Sequence, residues 1–153
     1  GGSTVLAMAK LLADRARLTV VTNSLRVAVA LSGGGPKVIV IGGDMRRISQ
    51  TFVGPMTRLM LDHIHLDAAF IGTIGLDVVG GLTTTDPNEA YTKELVMAHA
   101  RKVVVLAHSN KLGKVSFSRF GLLKDIDVLI TDKGLSSKNV SALKRKGLKV
   151  MRV

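Results

Sequence analysis

Short apolar runs rich in Val and Ile recur at residues 18–21, 38–41, 68–71, 103–107, 128–130 and 149–151, separated by stretches whose apolar residues fall three and four positions apart. The runs are nearly continuous rather than alternating, which is the pattern of strands covered on both faces. The intervening period of 3.6 predicts the helices that cover them. Residues 3–12 put Val5, Ala9 and Leu12 on one helical face, and residues 24–31 form a second helix stopped by Gly33, Gly34 and Gly35. A third helix is predicted to start at Pro55, with Met56, Leu59, Met60 and His63 in register. The fourth, over 87–100, opens on Asp86 and Glu89 at capping-box spacing around Pro87 and carries Tyr91, Leu95 and Ala98 on one face. The last spans 137–146 and ends at Gly147. Alternating strands and helices predict a single α/β domain with a mostly parallel sheet covered by helices. A helix opening at Ser3 is normally fed by a strand, so a strand is expected upstream of Gly1, with room for a further domain before it.

In open parallel sheets ligands bind outside the carboxyl ends of the strands, and here the residues following the apolar runs are small and polar. They read Thr22-Asn23-Ser24, Gly42-Gly43-Asp44, Gly72-Thr73-Ile74-Gly75-Leu76-Asp77, His108-Ser109-Asn110-Lys111 and Thr131-Asp132-Lys133. Gly1-Gly2-Ser3-Thr4 at a helix start offers backbone amides, two hydroxyls and the positive end of a helix dipole to an anion such as phosphate. The competing reading is that Ser3 or Thr4 caps its helix. Lys111, following a strand through a short polar loop, can reach over the strand ends to the same anion or remain a surface lysine. The segment from Gly80 through Thr85 offers glycines for close backbone approach and hydroxyls for sugar oxygens, and reads equally as a turn. Asp86, Glu89 and Lys93 suggest proton transfer, but a helix cap with an i,i+4 ion pair accounts for them better. His63, His65 and Asp67 have loose metal-like spacing, yet His63 falls on the predicted apolar face, and no metal site or cofactor is expected.

Composition narrows the classes further. The chain has 153 residues and no Cys, which excludes disulfides and cysteine-ligated metal centres, and its longest apolar runs are far too short to span a bilayer. A cytoplasmic address without a membrane role is expected. The formal charge of +11 favours anionic partners, phosphorylated metabolites or nucleic acid. Aromatic residues make up only 3% of the chain, which leaves little for base stacking, and no helix-turn-helix or zinc-finger pattern is present.

Taken in order, Gly2-Ser3-Thr4, residues 18–24 (LTVVTNS), Ile41-Gly42-Gly43, Phe52-Val53-Gly54-Pro55, Gly80-Gly81-Leu82-Thr83-Thr84 and residues 125–132 (DIDVLITD) resemble the C-terminal effector domain of DeoR-family transcriptional repressors over nearly the whole chain. Those regulators pair an N-terminal helix-turn-helix with a sugar-phosphate-sensing domain whose fold is similar to ribose-5-phosphate isomerase and glucosamine-6-phosphate deaminase. The resemblance implies a ligand sensor rather than an enzyme, with Gly2, Ser3, Thr4 and Lys111 binding phosphate. It implies Thr22, Asn23, Ser24, Gly43, Gly72, Asp77, Thr83, Thr84 and Glu89 around the sugar. The implied partners are a sugar-phosphate effector, operator DNA through an N-terminal domain upstream, and further copies of the chain. His108 stands where the family commonly has aspartate, and the acidic residue that usually precedes the phosphate-loop glycines lies outside the chain. The alternative is an isomerase- or deaminase-like enzyme, although the loop from Gly72 to Asp77 keeps a single acid, Asp77. Direct nucleic-acid binding by the basic surface is the third class.

Overall fold

In the computed structural model, which describes residues 2–153, the predicted strands and helices appear within one or two residues of their expected bounds, except that the third helix is short. In chain order they are α1 (Ser3–Lys10), β1 (Thr19–Thr22), α2 (Leu25–Leu31), β2 (Lys37–Val40), β3 (Asp44–Arg46), β4 (Thr51–Val53), α3 (Met56–Leu61), β5 (Ala69–Gly72), β6 (Gly75–Asp77), β7 (Gly81–Thr84), α4 (Pro87–Ala98), β8 (Val103–Leu106), β9 (Ser118–Gly121), β10 (Val128–Thr131), α5 (Ser137–Arg145) and β11 (Lys149–Arg152). The six strands expected from the apolar runs are parallel. They form a four-stranded group in the order β11-β10-β8-β5 and a pair, β1-β2.

β8 is buried at all four positions because both its faces are covered. Val103, Val105 and Ala107 point into the main core with Leu129, Leu82, Phe120, Met97 and Leu143, supplied by β10, the antiparallel strands, α4 and α5. Val104 and Leu106 face the other way, onto Val5 of α1. One turn further along α1, Ala9 packs with Val27 and Leu31 of α2, and Val20 and Val38 of β1 and β2 lie against the same cluster. Thus α1 braces both groups of parallel strands. Among the described residues β1 pairs only with β2, and β5 only with β8.

Two antiparallel units are not foreseen by the sequence pattern. β3 and β4 form a hairpin, and β6-β7-β9 form a three-stranded sheet. The segments expected to be ligand loops, 72–77 and 80–85, are largely the strands β6 and β7. Their three- and four-residue lengths and mixed small or polar content, as in Gly75-Leu76-Asp77, carry no period that distinguishes them from loops.

Two helices turn a different face inward from the one expected. α3 ends at Leu61 after six residues. It buries Thr57 and Leu61 while Met56, Leu59 and Met60 stay exposed, and His63 is an exposed residue beyond its end. α4 buries Glu89, Ala90, Thr92, Lys93 and Met97, and Tyr91 and Leu95 are only half-buried. Polar side chains can line that buried face because each finds a partner. The Thr92 hydroxyl accepts from Gly54 N (3.1 Å) and donates to Asn88 O (2.9 Å), and Lys93 pairs with Glu89 at 2.8 Å. No helix among the described residues is long and apolar enough to cross a membrane.

A carboxylate ties the ends of β8 and β10 together. Asp132 accepts from Ser109 N (2.6 Å), Ser109 Oγ (2.8 Å) and Gly134 N (2.8 Å), so the turn after one strand is stapled to the turn after its neighbour. The donors, led by the Ser109 amide and opposed by some desolvation, hold this carboxyl down at about 2, against an ordinary 3.8.

Two outcomes follow from this packing. Leu61→Ala removes a fully buried side chain and should cost about 2–5 kcal/mol in urea unfolding, whereas Leu59→Ala, 62% exposed, should stay within about 0.5 kcal/mol. Equal effects would contradict the inward face of α3. Because the folded-state pKa of Asp132 is depressed, its contribution to stability is complete above about pH 4 and fades as the pH falls to about 2. Asp132→Asn should therefore lower stability at neutral pH and flatten the acid limb of the stability profile, measured by denaturant unfolding between those pH values.

Candidate functional site

The carboxyl ends of the parallel strands gather most of the residues picked out in the sequence. At the start of α1, Gly2 is the N-cap in extended conformation, and no side chain caps the helix. Ser3 and Thr4 are exposed, so the capping alternative is not realised. The amides of the first turn therefore have no side-chain acceptor, and they lie at the positive end of the helix. Gly1 lies outside the described residues. Gly72, the last residue of β5, meets this turn: a Cβ there would come within 3.6 Å of Gly2 N and 3.4 Å of the Val5 side chain. The strand end and the helix start are thus in van der Waals range of each other.

The residues after β1 have mainly local partners. Thr22 Oγ1 accepts from Ser24 N (3.1 Å), and the buried Ser24 caps α2 by accepting from Val27 N (3.4 Å). Asn23 is bound to β4 through both its backbone and its amide, which donates to Phe52 O at 2.9 Å. This segment pins the β3–β4 hairpin to the sheet. Gly43 leads into that hairpin at a point where a Cβ would collide with the Val53 carbonyl. Lys111 is half-buried in a short 3-10 turn, Ser109–Lys111, directly after β8. His108 precedes it, exposed, with Nδ1 3.4 Å from Asp132 Oδ2.

Three of the expected sugar-binding residues sit in the antiparallel sheet. Asp77 Oδ1 accepts from Gly80 N (2.8 Å) and Val79 N (2.9 Å), closing the β6–β7 turn, and these amides hold its carboxyl below the ordinary range. The buried Thr83 hydroxyl accepts from Ser116 N at 2.9 Å and donates to Gly75 O at 3.3 Å. Thr84 is fully buried, and its hydroxyl has no hydrogen-bond partner among the described residues.

Glu89 lies in a charged cluster that joins three parts of the chain. Its Oε1 is 2.8 Å from Lys93 Nζ, and its Oε2 is 3.6 Å from Arg46 of β3. Arg46 also pairs with Asp86 (3.4 Å) and donates to Ser49 and Thr85, while the Lys93 ammonium lies 4.9 Å from the centre of the Phe120 ring in β9. Burial opposes ionisation of Glu89, but the Lys93 and Arg46 charges outweigh it, so the carboxyl sits below its ordinary range and remains an acceptor. Asp86 accepts from Glu89 N at 2.8 Å, as the cap predicted from sequence. Arg46 was missed because it lies in a short polar stretch with no period or motif, and nothing in its neighbours announces a partner about 40 residues away.

Beside the ends of β8 and β10 lies a water-sized cavity of about 10 Å³, lined by Leu76, Ala107, His108, Ser109, Thr131 and Leu135 among others. A larger cleft of about 670 Å³ opens at the opposite end of the sheet, between α4 and β9, and contains none of the residues singled out as ligand contacts. No group of three or more His, Asp or Glu among the described residues is arranged to hold a metal ion.

The sequence pattern of the DeoR C terminal sensor domain matches residues 1–133. The HTH-type transcriptional regulator GlpR of Haloferax volcanii is 36% identical over 98% of this chain and 59% of its own length. The uncharacterized HTH-type transcriptional regulator YulB of Bacillus subtilis is 35% identical over 95% of the chain and 57% of its own. A lactose phosphotransferase system repressor of Streptococcus mutans is 34% identical over 86% of the chain and 53% of its own. The chain thus spans less than three-fifths of the length of these relatives. With the α/β architecture and a match covering most of its residues, the chain belongs to the DeoR family as a C-terminal sensor domain.

Proposed function

We propose that this domain senses a phosphorylated sugar at the carboxyl ends of its parallel strands and passes the binding event to a DNA-binding domain elsewhere in a longer chain. The observation that carries the reading is the uncapped, exposed first turn of α1 at Gly2, Ser3 and Thr4, closely approached by Gly72. Backbone amides and a helix dipole equivalent to about half an elementary charge suit a phosphate dianion, and Lys111 follows the neighbouring strand β8 as a second cation source. Glu89, buried yet ionised, has acceptor capacity left for a sugar hydroxyl, while the Thr84 hydroxyl, fully buried, could meet another only if its surroundings opened. Thr22, Asn23, Ser24 and Gly43 complete the proposed lining through the backbone positions they fix. A relative whose name includes the lactose phosphotransferase system supports a sugar-derived effector.

The two-part parallel sheet supports a related proposal. A strand from a longer chain would pair between β1 and β5, which both pack near α1 and do not pair with each other among the described residues, and would lead into the phosphate turn. No chemistry is needed for sensing. A ligand that binds one arrangement of the regulator more tightly shifts the population by that difference in affinity. Asp77 argues against isomerase-type catalysis, because two amides bond one of its carboxylate oxygens and hold its pKa below the ordinary range, which makes it a weaker base.

A phosphorylated sugar should raise the melting temperature of the chain while its unphosphorylated parent does not, and equal shifts from both would remove the phosphate site. Ser3→Asp should leave the fold as stable or slightly more so, since an acid favours a helix start by about 0.3–1 kcal/mol. The same variant should abolish the ligand-induced shift by repelling phosphate. Turnover of an aldose or ketose phosphate that disappears in Asp77→Asn would overturn the non-enzymatic reading.

A further inference from the structure

Residues 133–153 hold Lys133, Lys138, Lys144, Arg145, Lys146, Lys149 and Arg152, seven of the 22 basic residues of the chain, and none of its 11 acidic ones. All seven are exposed, and none pairs with a carboxylate among the described residues. Three lie on α5 (Lys138, Lys144, Arg145), one at its C-cap (Lys146), one in the turn before it (Lys133) and two on β11 (Lys149, Arg152), the edge strand of the four-stranded group, and they begin where the family match ends. α5 buries Leu143 and lays Val140 on the main core, so its cations are turned outward. Lys138 and Arg145 are seven residues apart, two turns along one outer face and about 10 Å from each other at 1.5 Å per residue. Lys144 and Arg145 at the helix C-terminus are also favoured by its dipole and Lys149 suits an edge strand, but Lys133 and Lys138 have no such local reason to be there. Arg152 spends one N–H on Leu135 O (3.2 Å) and keeps the rest of its fork free.

We propose that this face docks on the phosphate backbone of duplex DNA, so that the sensor domain itself adds sequence-independent contacts to those of any DNA-reading domain. Cations this dense without interspersed carboxylates complement a polyanion carrying one charge per about 1.7 Å of helix axis. The segment contains no aromatic residue, which leaves no platform for stacking on bases. A membrane surface fits less well, because an interfacial helix needs a free apolar face and that of α5 is buried. A protein partner fits less well too, since five of the seven are Lys, a residue depleted from protein interfaces. The proposal does not depend on the sugar-phosphate reading.

The test is fluorescence anisotropy of the 153-residue chain with two duplexes of unrelated sequence across a salt series. Expected are equal affinities for the two and a steep fall with salt. In the combined variant Lys144→Gln, Arg145→Gln and Lys149→Gln, the slope of log affinity against log salt should shrink by about two to three units, at roughly 0.9 for each phosphate no longer neutralised. Arg17→Gln, Arg26→Gln and Arg47→Gln, equally exposed but outside the face, should leave the slope unchanged. The charge-preserving set Lys144→Arg, Arg145→Lys and Lys149→Arg should bind like the parent, and circular dichroism should show all three variants folded. The proposal is overturned if the patch variant keeps the parent slope, if the outside set weakens binding as much, or if anionic phospholipid vesicles or polyglutamate bind as tightly as DNA at equal charge.

Discussion

A carboxylate removed from water has to be compensated, and at Glu89 that requirement draws together groups from three distant parts of the chain. Lys93 on the same helix satisfies one oxygen at 2.8 Å, and Arg46 approaches the other from a hairpin 43 positions earlier in the sequence. Through Arg46 the cluster reaches Asp86, Ser49 and Thr85, and through Lys93 it reaches the Phe120 ring. The hairpin, α4 and the antiparallel sheet thus meet over one set of charges. Breaking such a pair costs more than the pair itself contributes, because the stranded partner stays buried. This is why α4 turns Glu89, Thr92 and Lys93 inward and leaves Tyr91 and Leu95 only half-buried.

The same arrangement explains which parts of the fold were legible in the sequence. Strands buried on both faces, such as β8 with four consecutive apolar residues, announce themselves as runs, and helices are marked by caps and stops such as Asp86 and Gly147. The hairpin and the β6-β7-β9 sheet do not, because their strands are three or four residues long and are fixed by contacts distant in sequence. Periodicity also misassigned α3. Met56, Leu59 and Met60 are in register, but the short helix buries the opposite side through Thr57 and Leu61. For the candidate site, the position of polar residues after strand ends was readable. The pairing of Ser109 with Asp132, or of Arg46 with Glu89, was not, since it depends on which strands become neighbours.

Functional groups are accordingly divided by region. The phosphate-suited turn of α1 stands on the strand ends, held against Gly72, while Thr22, Ser24 and Thr83 use their hydroxyls to hold the frame and leave little side-chain chemistry spare. The Thr84 hydroxyl, by contrast, is buried without a hydrogen-bond partner among the described residues. The surplus positive charge lies away from these groups, on the last helix and strand.

β11 is an open sheet edge, and open edges tend to recruit another strand and grow into aggregates. Lys149 and Arg152 at the two ends of this strand, with Lys146 just before it, bring like charges together whenever two such edges approach. The basic margin therefore acts as a solubility guard. Pairing of this edge with the same edge of a second copy is thereby disfavoured.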